Sequence, residues 1–222
     1  MSARAWLCML LLAATAGVRA DVRDEEIAAC RPGEIATWHD GVDARVRAPL
    51  VFAYDPAGAP PGFPRELVYA QIGRALQAWA PCGVATVLLP LGQAAAAGTI
   101  RIAWADTSSH GNQAESDLAA RRLSLSINLA RLLHERLPAP QAEAEVQMMV
   151  SHEIGHFFGL GAHSRRCVDV MSYYTDGHGG QCSLRDPAAM RPGAEYRASL
   201  PTACDIARCR AINAPATAPA SR

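Results

Sequence analysis

His152, Glu153 and His156 stand in the order His-Glu-x-x-His, and His163 follows a few residues later, past Gly159. Side chains four apart on a helix leave the same face. His152 and His156 can therefore direct imidazole nitrogens at one metal ion. Zinc takes such nitrogens at about 2.0–2.1 Å in a tetrahedral set, and a catalytic zinc keeps three protein ligands and leaves the fourth position for water. His163 is the third candidate ligand, with Asp169 and His178 in reserve. Glu153, beside the first ligand, is placed to take that water's proton as general base. The ion lowers the water's pKa and polarises the scissile carbonyl. These residue types imply metal-assisted amide hydrolysis with no covalent intermediate. Glu153 weighs against a purely structural metal site, which needs no base.

The ligands require a helix beneath them. Val146, Met149, Val150, Ile154, Phe157 and Phe158 recur with an apolar period of about 3.6 residues. Pro138 and Pro140 precede this run, and Gly159 can supply a left-handed stop. A surface helix bearing two histidines would have the same spacing. This one is apolar enough to be largely buried, so its histidines need a partner inside the protein.

With Val170-Met171-Ser172-Tyr173-Tyr174 downstream, the segment resembles the metzincin clan of zinc peptidases, whose pattern is HExxHxxGxxH followed by a Met-turn. The match covers His152, Glu153, His156, Gly159 and Met171. It departs at one point: Leu160-Gly161-Ala162 separate Gly159 from His163, where the clan has two residues, and position 162 is alanine. A loop can absorb the extra residue, and Gly161 tolerates positive φ. The leishmanolysin-like branch also carries insertions here. The resemblance implies that Met171 forms an apolar floor beneath the ion. It implies that Tyr173, as in astacin-like and serralysin-like members, ligates zinc at rest and hydrogen-bonds the oxyanion. Tyr174 is its neighbour and competitor for that role. The short linker to the Met-turn is most matrixin-like.

The implied fold class is α+β: a twisted mixed sheet packed on two long helices, with the active-site helix followed by an irregular Met-turn subdomain. An extended substrate would join an edge strand through backbone hydrogen bonds, and the segment after Tyr174 would wall the specificity pocket. The implied function is an exported zinc-dependent endopeptidase acting on proteins or peptides. Two alternatives stand beside it: a zinc hydrolase acting on a non-protein amide such as peptidoglycan, and a non-catalytic zinc-bearing binding module. One catalytic Zn2+ is expected. A structural calcium or second zinc, for which His110-Gly111-Asn112 marks the comparable region, has too few ligands in this sequence.

The first 20 residues read as a secretory leader, with Arg4 as the positive region, Ala5 to Gly17 apolar, and Val18-Arg19-Ala20 suited to cleavage after Ala20. The apolar run is too short for a membrane span, so no stable anchor is expected after cleavage. The protein is then secreted or periplasmic. Of the 21 basic residues, all of them arginine, Arg4 and Arg19 fall in the leader, leaving 19 against 21 acidic residues. That balance offers no electrostatic case for nucleic acid, and a monomer acting on a protein or peptide substrate is expected.

Beyond the leader stand Cys30, Cys82, Cys167, Cys182, Cys204 and Cys209, an even set suggesting three disulfides. Short loops favour Cys167 with Cys182 and Cys204 with Cys209, leaving Cys30 with Cys82. Cys30-Arg31-Pro32-Gly33 raises the possibility of a matrixin-like latency switch, in which a free thiolate silences the ion. The even parity argues against it.

The 222 residues suit one domain of ordinary size. Residues 21–45 read as an N-terminal extension or short pro-segment, 46–213 as the peptidase domain, and 214–222 as a disordered Ala/Pro tail. Leu50–Tyr54, Val84–Leu89, Thr99–Ala105 and Leu123–Leu129 read as strands. Arg65–Ala80 reads as a helix ended by Pro81, and Ala203–Ile212 as a short helix. Ser108–Asp117 and Thr175–Arg197 read as loops. His39 and His134 read as surface or satisfied core residues, and Arg165-Arg166 as a solvated pair.

Overall fold

The computed structural model describes residues 21–107, 114–190 and 195–215. The leader, His110-Gly111-Asn112 and most of the Ala/Pro tail lie outside them.

The sheet is built from the apolar runs. Strand β1 (Leu50–Asp55), β2 (Thr86–Leu88), β3 (Ile100–Ala105), β4 (Ala114–Asp117) and β5 (Arg122–Ser126) lie in the order β2-β1-β3-β5-β4. All neighbours are parallel except the edge pair, β4 antiparallel to β5. The central strands turn Phe52, Ile100, Ile102, Leu123 and Leu125 fully inward. The fold is therefore α+β with a five-stranded mixed sheet.

Helices α2 (Arg65–Trp79) and α4 (Ala139–Phe157) pack together to form the other half of the core. Phe157 meets Phe52 edge to face, with ring centroids 6.1 Å apart, and Trp79 stacks on Phe158 at 5.6 Å. Side-chain amides join the two helices: Gln71 Nε2 donates to Glu143 O, and Gln147 Nε2 to Gln71 O. The Trp79 indole N–H donates to Ser151 O at 3.0 Å in the buried interface. Each large apolar side chain buried here contributes about 1.5–3 kcal/mol.

Three elements were not anticipated. Strand β4 lies inside the stretch read as a loop, because its residues Ala-Glu-Ser-Asp carry almost no apolar signal and the strand exists only by pairing with β5. The strand expected to run to Leu129 stops at Ser126, whose hydroxyl accepts the Leu129 N–H and caps α3 (Ile127–Arg136). A serine with a free N–H three residues on favours the helix start over a longer strand. A short helix, α1 (Val22–Ala28), opens the described chain.

Residues 21–45 run as part of the same body. Helix α1 packs against α5 (Ala203–Asn213). The stretch 36–46 then forms a strap laid antiparallel to the loop that follows α4. Arg165 N donates to Ala36 O, Trp38 N to His163 O and Ala44 N to Gly159 O, at 2.9, 3.0 and 2.9 Å.

Two of the expected disulfides are corrected. Cys30 is bonded to Cys204 and Cys82 to Cys209, while Cys167–Cys182 is formed as expected. Cys204 and Cys209 share helix α5, and five residues is about 140° of rotation around a helix. Their sulfurs therefore face different neighbours. Cys30 is not a free thiol for a latency switch. Formed disulfides fit an oxidising compartment. Among the described residues no helix is long and apolar enough to cross a membrane.

The Cys30–Cys204 bond closes a separation of 174 residues and tethers the N-terminal segment to α5. Serine at both positions is expected to lower the unfolding free energy by about 2–4 kcal/mol. Urea denaturation followed by tryptophan fluorescence measures the change, and an unmoved midpoint would show that packing alone holds the segment.

Candidate metal centre

The last turns of α4 carry His152, Glu153 and His156, all at the junction with the irregular segment that follows. Phe158 ends the helix, and Gly159 takes the left-handed conformation at φ 95°. The loop that follows turns back and brings His163 to the other two histidines. One ligand-type atom from each lies within 4.8 Å of the others. All three pairs of rings have centroids 5.1 Å apart.

The ring orientations are set by what each Nδ1 touches. His152 Nδ1 is 2.7 Å from Val170 O, and His156 Nδ1 is 2.7 Å from Leu160 O. His163 Nδ1 is 2.7 Å from Asp40 Oδ2. Every one of these partners is an acceptor only, so each Nδ1 carries the proton and each Nε2 keeps a lone pair. His163 Nε2 is buried and has no hydrogen-bond partner. A buried polar atom without a partner is costly. A cation held by three Nε2 lone pairs removes that cost, and three neutral imidazoles with an open fourth position are the donor set of a catalytic zinc. The residues therefore fit the ion that their spacing implies.

Burial keeps these rings neutral. It pushes His152 well below the usual histidine range, and the neighbouring histidines add to the effect. Burial likewise lowers His156 to about 4, with His163 contributing. It also lowers His163, against the opposing pull of Asp40. Asp40 itself is pushed up by burial, but the hydrogen bonds from His163 outweigh this and hold it below its ordinary value.

Glu153 is only 7% exposed, and burial raises its carboxyl to about 7. That lies close to the value suited to proton transfer near neutral pH. On the edge strand β4, Ser116 Oγ donates to Glu153 O at 2.9 Å, so the edge of the sheet is fastened to the helix at this residue. Tyr173 stacks on His163 with ring centroids 3.6 Å apart and planes 16° apart, and it remains 44% exposed. Burial and then the charges of Glu153 and Asp40 raise its phenol.

Met171 is fully buried under α4. A methyl group on Gly155, within the His-Glu-x-x-His run, would lie 2.3 Å from Met171 Sδ and 2.9 Å from Trp79 Cζ2. Glycine is required there so that the methionine and the tryptophan can approach the helix backbone.

The extra residue before His163 is accommodated by close approach to the strap. Gly161 does not adopt the positive φ expected of it. A methyl group at Gly161 would instead meet Val42 O at 2.1 Å, and one at Gly41 would meet Gly161 O at 2.1 Å. Asp43 accepts the Ala162 N–H at 3.2 Å and accepts from Arg208 Nε and Nη2, and Nη2 also donates to Ala162 O at 2.6 Å.

Of the two reserve ligands, neither joins the cluster. His178 is exposed on a surface loop. Asp169 is buried in a separate network, accepting from Ser164 Oγ, Arg166 Nη1 and Thr202 Oγ1 at 2.6, 2.8 and 2.6 Å. Next to it, Asp205 accepts the Val170 and Thr202 N–H groups, both at 2.9 Å. Burial and then the charge of Asp169 raise Asp205 to about 7. The pair Arg165-Arg166 is also not a solvated pair. Arg165 lies over the Trp38 ring at 4.8 Å, whereas Arg166 is 3% exposed and ion-paired to Asp169. Tyr174 points away from the cluster to hydrogen-bond Glu195 and the Tyr196 N–H.

Sequence reasoning missed Asp40, Asp43 and Arg208. Asp40 and Asp43 stand three apart before a predicted strand, a pattern that many solvated turns share, so nothing local marked them.

No family model matches the chain, and no curated protein matches it. Among solved structures, a chain of the "GM1 bound form of the ECX AB5 holotoxin" is 12% identical and aligns over 81% of this chain and 87% of its own length. Its TM-score of 0.48 is too low to bear on fold or function.

A histidine lowered to about 4 takes up a proton only well below the ordinary histidine range. Zinc affinity is therefore expected to stay level on acidification from pH 7 to 6 and to fall only as pH approaches about 4, the value held by His156. Titration calorimetry on Glu153→Gln, which removes that neighbour's own proton, tests this. A decline centred near pH 6.5 would mean that the rings behave as solvated histidines.

Proposed function

We propose that this chain is an exported zinc-dependent endopeptidase of the metzincin type. The observation that carries the reading is the convergence of three neutral imidazoles, with Glu153 buried beside the first and Tyr173 stacked on the third. His152, His156 and His163 would hold the ion. Zinc, when bound, lowers the pKa of a water molecule and polarises a carbonyl. Glu153 takes the proton of the attacking water and passes it to the leaving amine, so its buried carboxyl serves first as base and then as acid. The Tyr173 hydroxyl donates to the oxyanion that develops on the substrate carbonyl.

Two further features support a polypeptide substrate. Among the described residues the antiparallel strand β4 is an outer strand of the sheet and is anchored beside Glu153, where an extended peptide can join by backbone hydrogen bonds. A cavity of about 1200 Å3 lies along the same helix, lined by Met148 one turn before His152, by Glu145, by Tyr174 and by Arg197, and by none of the three histidines, Glu153 or Tyr173. Apolar walls with a few charged groups suit a substrate side chain.

The test is zinc content measured together with casein or gelatin cleavage. The wild type is expected to hold one zinc and cleave, and Glu153→Gln to hold zinc with cleavage reduced at least about 10²-fold. Full activity in Glu153→Gln would discard the mechanism. Tight zinc without hydrolysis of any peptide would move the reading to a non-protein amide or to a binding role. Tyr173→Phe is expected to lower kcat on the order of 10²-fold with metal content unchanged, and loss of zinc in that variant would make the tyrosine a ligand instead.

A further inference from the structure

We infer that Asp40 is the positioning residue for the third metal-binding histidine, so that the strap of residues 36–46 is a working part of the metal centre. The inference rests on the three histidines holding an ion, as proposed above. His152 and His156 are held by the helix that carries them, and their Nδ1 groups are held by main-chain carbonyls. His163 has neither support. It stands in a loop, one place beyond the spacing of the clan pattern, and its ring is oriented by a side chain 123 residues away.

Asp40 grips His163 at two points. Oδ1 accepts the backbone N–H at 2.9 Å, and Oδ2 accepts the ring Nδ1–H at 2.7 Å. A carboxylate can only accept, so it requires the tautomer in which Nε2 keeps its lone pair. It also strengthens the imidazole as a ligand. Three residues on, Asp43 holds the preceding peptide unit through the Ala162 N–H. The strap's own backbone bonds to His163 O and Gly159 O carry this pair of carboxylates to the loop. Asp40 is about one-third exposed, with 35% of its side chain accessible. Solvent reaching the carboxylate limits its contribution to global stability, so its main effect falls on the ring, whose own side chain is 12% accessible.

Asparagine at this position keeps the size but cannot accept at both points. If its amide nitrogen faces the ring, it favours the tautomer with Nε2 protonated, which has no lone pair to give. In Asp40→Asn, zinc affinity measured by chelator competition is expected to weaken about 10–100-fold. At saturating Co2+, the visible absorption bands are expected to change in shape and intensity. The melting temperature of the metal-free protein is expected to move by no more than about 2–4 °C. Asp40→Glu, which restores an acceptor at the ring, should recover part of the affinity. Wild-type zinc affinity and cobalt spectrum in Asp40→Asn would overturn the inference. So would a collapse of the metal-free fold in both variants, which would make Asp40 structural. A wild type that binds no zinc would overturn the metal reading beneath it, and the inference with it.

Discussion

Three imidazoles meet, His152 buried and His156 and His163 partly buried, each with its Nδ1 proton given to an oxygen and its Nε2 lone pair turned toward the other two. Burial, with the neighbouring histidines adding to it, keeps the rings neutral. Three lone pairs facing one another in a low-dielectric site repel, and at least one is without a hydrogen-bond donor. Such an arrangement is unfavourable by itself. It persists only because the surrounding structure fixes each ring from behind.

The three oxygens that do this come from three parts of the chain. Leu160 O lies just past the helix that bears His156, Val170 O lies on the irregular segment next to Met171, and Asp40 lies on the N-terminal strap. Each part needs its own anchor. The irregular segment is held by the Asp169–Thr202–Asp205 network and by the Cys167–Cys182 bond. The strap is held by backbone bonds to the loop, by the Asp43–Arg208 pair and by the Cys30–Cys204 bond. Arg208, Cys204 and Asp205 all lie on α5, so this short helix near the end of the chain fastens both supports of the centre.

The buried carboxylates illustrate the balance. Burial raises Glu153, Asp169 and Asp205, since a charged carboxyl loses its water. Hydrogen bonds from Thr202, Ser164 and backbone N–H groups offset part of that loss for Asp169 and Asp205. Glu153 makes fewer such bonds, and burial brings it and Asp205 alike to about 7. What separates them is placement: Asp205 is taken up by the Val170 and Thr202 N–H groups, whereas Glu153 stands beside the histidine cluster.

Residues close in sequence were legible from the sequence by itself. The 3.6 period of Val146 to Phe158 set the helix, and with it the shared face of His152 and His156. Gly159 marked its end, the central strands stood out as apolar runs, and Cys167 and Cys182 could pair across a short loop. Each of these rests on local geometry, which a few neighbouring residues determine. What joins distant residues was decided only by the tertiary structure. Strand β4 exists by pairing with β5, Cys204 and Cys209 diverge around one helix to different partners, and Arg166 is buried by a carboxylate. Asp40 reaches His163 from the far end of the domain. Backbone pairing, disulfide partnership and the choice of a histidine's tautomer are contacts between surfaces that meet only after folding, and sequence spacing carries no record of them.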